Sequence, residues 1–357
     1  MLDVVLPDSH ETVDLCDGNA DQGLFLVFSK NGDFIGVIVY DLDSDSYKLE
    51  TATNGASLCS DSNTNDLIVF YNKLQYRLVS WILFKICKNS IMNNLLLGAI
   101  VGDIFGQPYE FKKSRQNSLC FDLFENKGKF TDDTVCTIGV AEAIIHNPKN
   151  PDFTTFVSKW CSKYPYAGYG KLFKKWIVSD KKEPYGSYGN GSAMRVSPCG
   201  YLYEYEDVLY FSTKQAEITH NHKKGIIGAN CVADLIWFAR EGYTKKELTD
   251  IASEYYPNYD FNVPIEKVRK GYTFDSSCEG SVPQAIRCFL ESTSYESCIR
   301  NAIYLGGDAD TIGAISGSIA YAYWKEMNED MKDYALEILP KEMIKVINDF
   351  DNFIKQQ

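Results

Sequence analysis

The sequence predicts two regions of different class: a small β-rich or α+β domain over residues 1–90, and an all-α domain over residues 91–357. Three observations carry this reading. Before residue 91, short apolar runs are separated by turn-forming Asn, Gly, Asp and Ser. After it, apolar residues recur at helical spacing and period-two alternation is scarce. Charge divides unevenly as well: of the net −12, −7 falls within residues 1–90.

In the first region, Gly23 to Phe28 is an apolar run that ends at Asn31-Gly32, a strong hairpin-turn signal, and Phe34 to Tyr40 reads as the return strand. Asp41 to Ser46 is an acidic turn, and Tyr47 to Ala52 a third strand. Residues 54–65 are rich in Ser, Asn and Asp and read as a loop. Residues 67–85 are apolar and fit strand or helix equally. In the second region, helical spacing covers 92–106, 133–146, 152–163, 214–240, 245–256, 283–291, 294–304, 310–325 and 327–355, with a break near Pro340. Val135, Ile138, Ala141 and Ile145, for example, share one face. No internal repeat at a fixed period is evident.

Composition excludes several classes. With 45% apolar and 24% charged residues the chain is globular, not disordered. Its acidity argues against nonspecific binding to nucleic acid or to anionic membrane. The start has neither a basic nor an apolar leader region, and the most apolar stretch, Leu78 to Cys87, is too short to span a bilayer and contains Lys85. Eleven scattered cysteines without a C-x-x-C pair fit small core residues in a reducing compartment. The expected location is therefore cytoplasmic.

Four constellations stand out. Thr131-Asp132-Asp133-Thr134 opens a helix, and taken alone fits an N-cap with an acidic first turn. Gly306-Gly307-Asp308-Ala309-Asp310-Thr311 opens another. A cap needs one side-chain oxygen, whereas this one has several, and the crowded carboxylates repel each other unless a cation intervenes. Two such clusters of hard oxygens point to a shared magnesium or manganese site. The run from Gly186 to Arg195 is glycine-rich enough to expose successive backbone N–H groups as an anion nest, or else to be a plain surface loop. It lacks the lysine ending of a P-loop. Tyr166 to Gly170 is a second loop of that kind. In Thr219-His220-Asn221-His222, His220 fits a hydrogen-bond donor to a ligand or a structural histidine. Zinc is disfavoured, because no further histidine or cysteine ligand accompanies the pair.

Two other patterns fail. The Asp41-x-Asp43-x-Asp45 run lacks the glycine and the closing acid of a calcium loop, with Ser46 and Ala52 in their places. Asp308-x-Asp310 sits in a helical context, not at the end of a parallel strand where a phosphate-accepting aspartate belongs.

Together, from about Asn94 to Trp324, these motifs resemble the ADP-ribosylglycohydrolase family, of the dinitrogenase-reductase-activating type. Leu97 to Asp103 with Gly106 to Glu110 is similar to the family's opening helix and acidic residue. Phe130 to Thr134 is similar to its first metal motif, Gly186 to Pro198 to its phosphate loop, and Thr219-His220 to its substrate-side histidine. Ser277 to Ile286 and Leu305 to Ile312 complete the order. Residues 1–90 have no counterpart in the resemblance.

The resemblance implies a compact orthogonal helical bundle that holds two Mg²⁺ or Mn²⁺ ions. It implies Thr131, Asp132, Asp133, Asp308, Asp310 and Thr311 as metal ligands, and Glu110, Asp132 and Asp133 as catalytic residues. Gly168, Gly170, Gly186, Ser187, Tyr188, Gly189, Asn190, Gly191, Ser192, Met194 and His220 would bind substrate. The implied activity is metal-dependent cleavage of the glycosidic bond between ADP-ribose and a modified protein, nucleic acid or small metabolite such as O-acetyl-ADP-ribose. The alternative is a catalytically silent ADP-ribose-binding module, in which metal ligands would be replaced; here all six, and Glu110, are present. Residues 1–90 would serve to recognise a protein target.

Overall fold

The computed structural model describes residues 10–15, 22–29, 34–41, 46–51, 93–111 and 116–357. Contacts divide the chain into two units, 1–85 and 86–357. In the first, strands β1 (His10–Leu15), β2 (Gln22–Ser29), β3 (Phe34–Asp41) and β4 (Ser46–Thr51) pair antiparallel in chain order. Strand β1 was not among the sequence expectations. A register shift at Val27/Phe28 marks the β2–β3 pairing. The Asn31-Gly32 turn, residues 42–45 of the acidic turn, the 54–65 loop and the 67–85 segment lie outside the described residues.

The second unit is helical. Its helices are α1 (Leu97–Gly106), α2 (Asp132–His146), α3 (Phe153–Lys163), α4 (Lys171–Val178), α5 (Gly191–Met194), α6 (Ser197–Gly200), α7 (Tyr205–Glu217), α8 (Lys223–Arg240), α9 (Lys245–Tyr255), α10 (Ile265–Gly271), α11 (Cys278–Leu290), α12 (Tyr295–Leu305), α13 (Ala309–Trp324), α14 (Glu329–Ile338) and α15 (Lys341–Gln356). All ten residues of α1 are buried, as are Ala309 to Ala322 of α13. A helix covered on every side belongs at the centre of a core.

These two central helices pack backbone against backbone. Gly98, Gly102 and Gly106 recur every four residues along α1, which places them on one stripe. A Cβ at Gly102 would lie 2.0 Å from the Gly313 carbonyl oxygen, one at Gly106 2.3 Å from that of Ala309, and one at Gly317 2.4 Å from that of Gly98. The pairing runs antiparallel, so the C-terminal end of α1 meets the N-terminal end of α13. A carboxylate from the far helix holds the other end of α1: Asp351 of α15 accepts from the backbone N–H groups of Asn94 and Leu95.

Several sequence expectations need correction. The first helix begins at Leu97, not at 92. The expected 214–240 helix is two, α7 and α8, broken at Ile218–His222. No Pro or Gly punctuates that break; tertiary bonds hold it, from the Ser187 N–H to the Thr219 carbonyl and from the Gly186 N–H to Asn221 Oδ1. The helix expected from Pro283 starts at Cys278, because Ser277 caps it by accepting from the Gly280 N–H, and Pro283 sits inside. Helices α4, α5, α6 and α10 were not anticipated. The eight described cysteines are all free, and only Cys120 is exposed. No helix among the described residues is long and apolar enough to cross a membrane.

Candidate active site

The meeting of the α1 C-terminus with the α13 N-terminus concentrates acid. Ligand atoms of Glu110, Asp308 and Asp310 lie within 4.8 Å of one another, and so do those of Asp103, Asp133 and Asp310. Glu110 follows α1 by way of a short 3-10 turn, Gln107–Tyr109. Helix α2 brings the third strand of chain to this point. Thr131 caps it by accepting from the Asp133 N–H at 3.4 Å, and the first-turn acids favour the helix macrodipole. Thr311 closes the circle, its hydroxyl donating to Asp133 Oδ2 at 3.3 Å.

Asp103 anchors the α2 entrance and was missing from the ligands expected from the sequence. Its oxygens accept from the Thr131 N–H (2.8 Å) and hydroxyl (2.7 Å), and from the Thr134 N–H (3.1 Å) and hydroxyl (2.5 Å). The signal was a single carboxylate inside an otherwise apolar helix, a placement that requires a partner. Asp132 belongs to neither group, although Asp103, Asp308 and Glu110 all act to raise its carboxyl. Its N–H donates to the Ala167 carbonyl at 2.8 Å, and a Cβ at Gly168 would stand 2.9 Å from Asp132 Oδ1. Gly168 also has φ +112°, which disfavours any side chain. We therefore expect Gly168→Ala to lower turnover about tenfold or more while costing only ~1–3 kcal/mol of stability; steady-state kinetics beside thermal melting checks this.

The electrostatics are those of uncompensated anions. Burial, then Asp103, Asp132 and Asp308, hold the Asp133 carboxyl well above its ordinary range. Burial, then Asp133 and Asp308, do the same to Asp310. Burial raises Asp132 to about 8, with Asp103 the next cause, and Asp103 itself to about 6. Glu110 is pushed up to about 7 by burial and then by the Asp308 charge, while a hydrogen bond with Asp310 opposes the rise. Among the described residues none of these carboxylates has an ion pair with Lys or Arg. Asp133 Oδ1 is buried with no hydrogen-bond partner. A buried, unpartnered carboxylate oxygen in a ring of hard oxygens is the donor set a divalent cation requires.

The glycine loop lies against this acid pole. Asn190 donates from Nδ2 to Asp308 Oδ2 at 2.7 Å. The loop is not the run of free N–H groups that the sequence suggested. The N–H groups of Gly186, Ser187, Gly189 and Asn190 are held by Asn221, Thr219, Ser187 and Ser276. Those of Tyr188, Gly191 and Ser192 have no acceptor among the described residues. Gly191, Ser192 and Met194 lie on the short helix α5, with Ser192 and Met194 buried and the Ser192 hydroxyl donating to the Gly225 carbonyl. Tyr188 is 56% exposed and meets the His222 ring edge-on. Gly170 stands at the start of α4 with open space around it, and Gly186 (φ +70°) is likewise open. His220 is buried beside Gly191, where a Cβ would be 3.0 Å from its Nε2.

The family model described as ADP-ribosylglycohydrolase matches residues 92–346. The chain belongs to the ADP-ribosylglycohydrolase family. Among its relatives, this glycohydrolase is similar to the ADP-ribosylhydrolase ARH3 of Gallus gallus, 28% identical over 55% of the chain and 70% of that protein. It is also similar to the ADP-ribosyl-[dinitrogen reductase] glycohydrolase of Rhodospirillum rubrum, 24% identical over 63% of the chain and 83% of that protein. Its fold matches a solved structure described as an ADP-ribosylglycohydrolase-related protein complex, with TM-score 0.57 and 21% identity over 74% of this chain and 98% of the other.

Proposed function

We propose that this glycohydrolase removes ADP-ribose from a modified target by metal-dependent hydrolysis, with residues 91–357 as its catalytic domain. The activity class follows from the family. The observation that carries the metal dependence is the buried carboxylate ring with its unpartnered Asp133 oxygen. Asp103, Asp133 and Asp310 would hold one divalent cation, and Glu110, Asp308 and Asp310 a second, with Thr131, Asp132 and Thr311 adjoining. Such ions supply Lewis acidity and lower the pKa of water.

The chain's own residues do the rest. Cleavage of a glycosidic bond builds positive, oxocarbenium-like charge on the sugar. The anionic carboxylates around the site can offset that charge. Glu110 is only half-buried and lies among these carboxylates, which makes it the group suited to general acid–base work. The glycine loop and His220 hold the ADP-ribose diphosphate, and Tyr188, exposed at the rim, offers its ring face to a base or sugar.

The test is a panel of ADP-ribosylated proteins, ADP-ribosylated nucleic acid and O-acetyl-ADP-ribose, assayed for released ADP-ribose with magnesium or manganese and again with chelator. We expect release from at least one substrate, and a loss of about a hundredfold or more on chelation. No release from any of them with metal present would overturn the reading. Activity unchanged by chelator would overturn its metal dependence.

A further inference from the structure

Behind the glycine loop sits a charged side chain that neither the sequence motifs nor the acid pole accounts for. Arg195 is 1% exposed and has no carboxylate partner among the described residues. Its Nε donates to Gln215 Oε1 at 2.8 Å. Its Nη2 donates to the Gln215 carbonyl at 2.8 Å and to the Thr219 hydroxyl at 3.0 Å. Gln215 is fixed in turn, since its amide nitrogen donates to the carbonyls of Ser192 and Ser212. A buried cation held by neutral acceptors is costly, so its position calls for a reason.

The next link supplies one. The Thr219 oxygen lies 2.7 Å from His220 Nδ1. One lone pair of that hydroxyl already accepts from Arg195, and Thr219 is fully buried. If the hydroxyl donates its proton to Nδ1, both the Thr219 hydroxyl and Nδ1 are satisfied. If Nδ1 carried the proton, the hydroxyl hydrogen would be buried without an acceptor among the described residues, which costs about 1–3 kcal/mol. The ring proton therefore belongs on Nε2. That nitrogen has no partner among the described residues, and it faces Gly189 and Gly191, where added Cβ atoms would lie 3.5 and 3.0 Å from it. Burial and the Arg195 charge both oppose a second ring proton.

We infer that Thr219, its hydroxyl oriented by Arg195, is a positioning residue that fixes His220 as a neutral Nε2–H donor aimed at the anionic diphosphate held by the glycine loop. The diphosphate part rests on the ADP-ribose reading above; the hydrogen-bond chain does not. A neutral donor suits this place. A cationic ring would be drawn toward the acid pole, whereas a polarised N–H recognises phosphate oxygen without adding a mobile charge.

The experiment is nitrogen NMR on the full chain with magnesium present and ¹⁵N-labelled histidine. The sequence has only four histidines, and the His220 signals are identified by their loss in His220→Gln. We expect the Nε2–H pattern in the wild-type protein, its loss or averaging in Thr219→Val, and its retention in Thr219→Ser. Calorimetry should show affinity for ADP-ribose weakened about tenfold in Thr219→Val, restored in Thr219→Ser, and affinity for adenosine changed less than about twofold in either. An Nδ1–H pattern in the wild-type protein would overturn the inference, however the variants fold. So would a Thr219→Val protein with unchanged ADP-ribose affinity. If the wild-type protein fails to bind ADP-ribose, the functional reading falls, while the spectrum still decides the tautomer.

Discussion

Asp310→Asn is expected to lower metal-dependent turnover by about a thousandfold, ~4 kcal/mol of transition-state stabilisation, with the fold intact. Asp310 is the carboxylate common to both acid groups, so its loss weakens each. The asparagine keeps the local geometry, because its amide oxygen can still accept the Thr311 N–H bond that Asp310 Oδ1 accepts at 2.9 Å. Stability should move the other way. Burial and neighbouring charges hold the folded-state pKa of Asp310 well above 3.8, so the unfolded chain ionises first as pH rises. That imbalance subtracts from metal-free stability above the unfolded pKa, increasingly up to the folded one. The metal-free variant should therefore melt higher than wild type at pH 7.5, by ~1–2 kcal/mol, with the gap shrinking toward pH 4. Magnesium should narrow or reverse the gap. Kinetics with saturating magnesium and melting curves with chelator measure the two effects; equal turnover in the variant would remove Asp310 from the metal site.

Gly102→Ala should be strongly destabilising. The new carbon would sit 2.0 Å from the Gly313 carbonyl oxygen, and no side chain is present to move aside. The helices must separate, at a cost of about 3 kcal/mol or more. Gly313→Ala meets the Gly102 carbonyl at 2.4 Å and should behave alike. Because α1 carries Asp103 and α13 carries Asp310, any protein that still folds should also lose metal affinity. Gly271→Ala is the control: nothing lies within 4 Å, and its effect should stay within about 1 kcal/mol. Denaturant titration of the three variants separates close packing from a general penalty on glycine replacement.

The helical character of residues beyond 91 was legible because apolar spacing there is regular and each acidic cluster opens a helix, as Thr131 does for α2. Legibility failed where tertiary contacts decide. The break at Ile218–His222 has no local punctuation, since its turn is held by Gly186 and Ser187 from another part of the chain. The N–H groups of the glycine loop looked available in the sequence, but three of them are taken by Asn221, Thr219 and Ser276, which only folding brings near. Asp103 and the stripe of Gly98, Gly102 and Gly106 were visible as letters. What they do depends on the approach of α13, some two hundred residues later. Arg195 is the same case. Its role comes from Gln215 and Thr219, and no spacing rule joins them.

If the glycine loop binds anion and the carboxylate ring binds cation, as proposed, the bond from Asn190 to Asp308 ties the two together. An ion that draws on the Asp308 lone pairs alters what that carboxylate offers Asn190, and a nucleotide that shifts Asn190 alters what Asp308 offers the ion. Such coupling is reciprocal by thermodynamic necessity. On that reading, occupancy of either part would tune the other, and the cation and the nucleotide would act as a matched pair rather than as two independent guests.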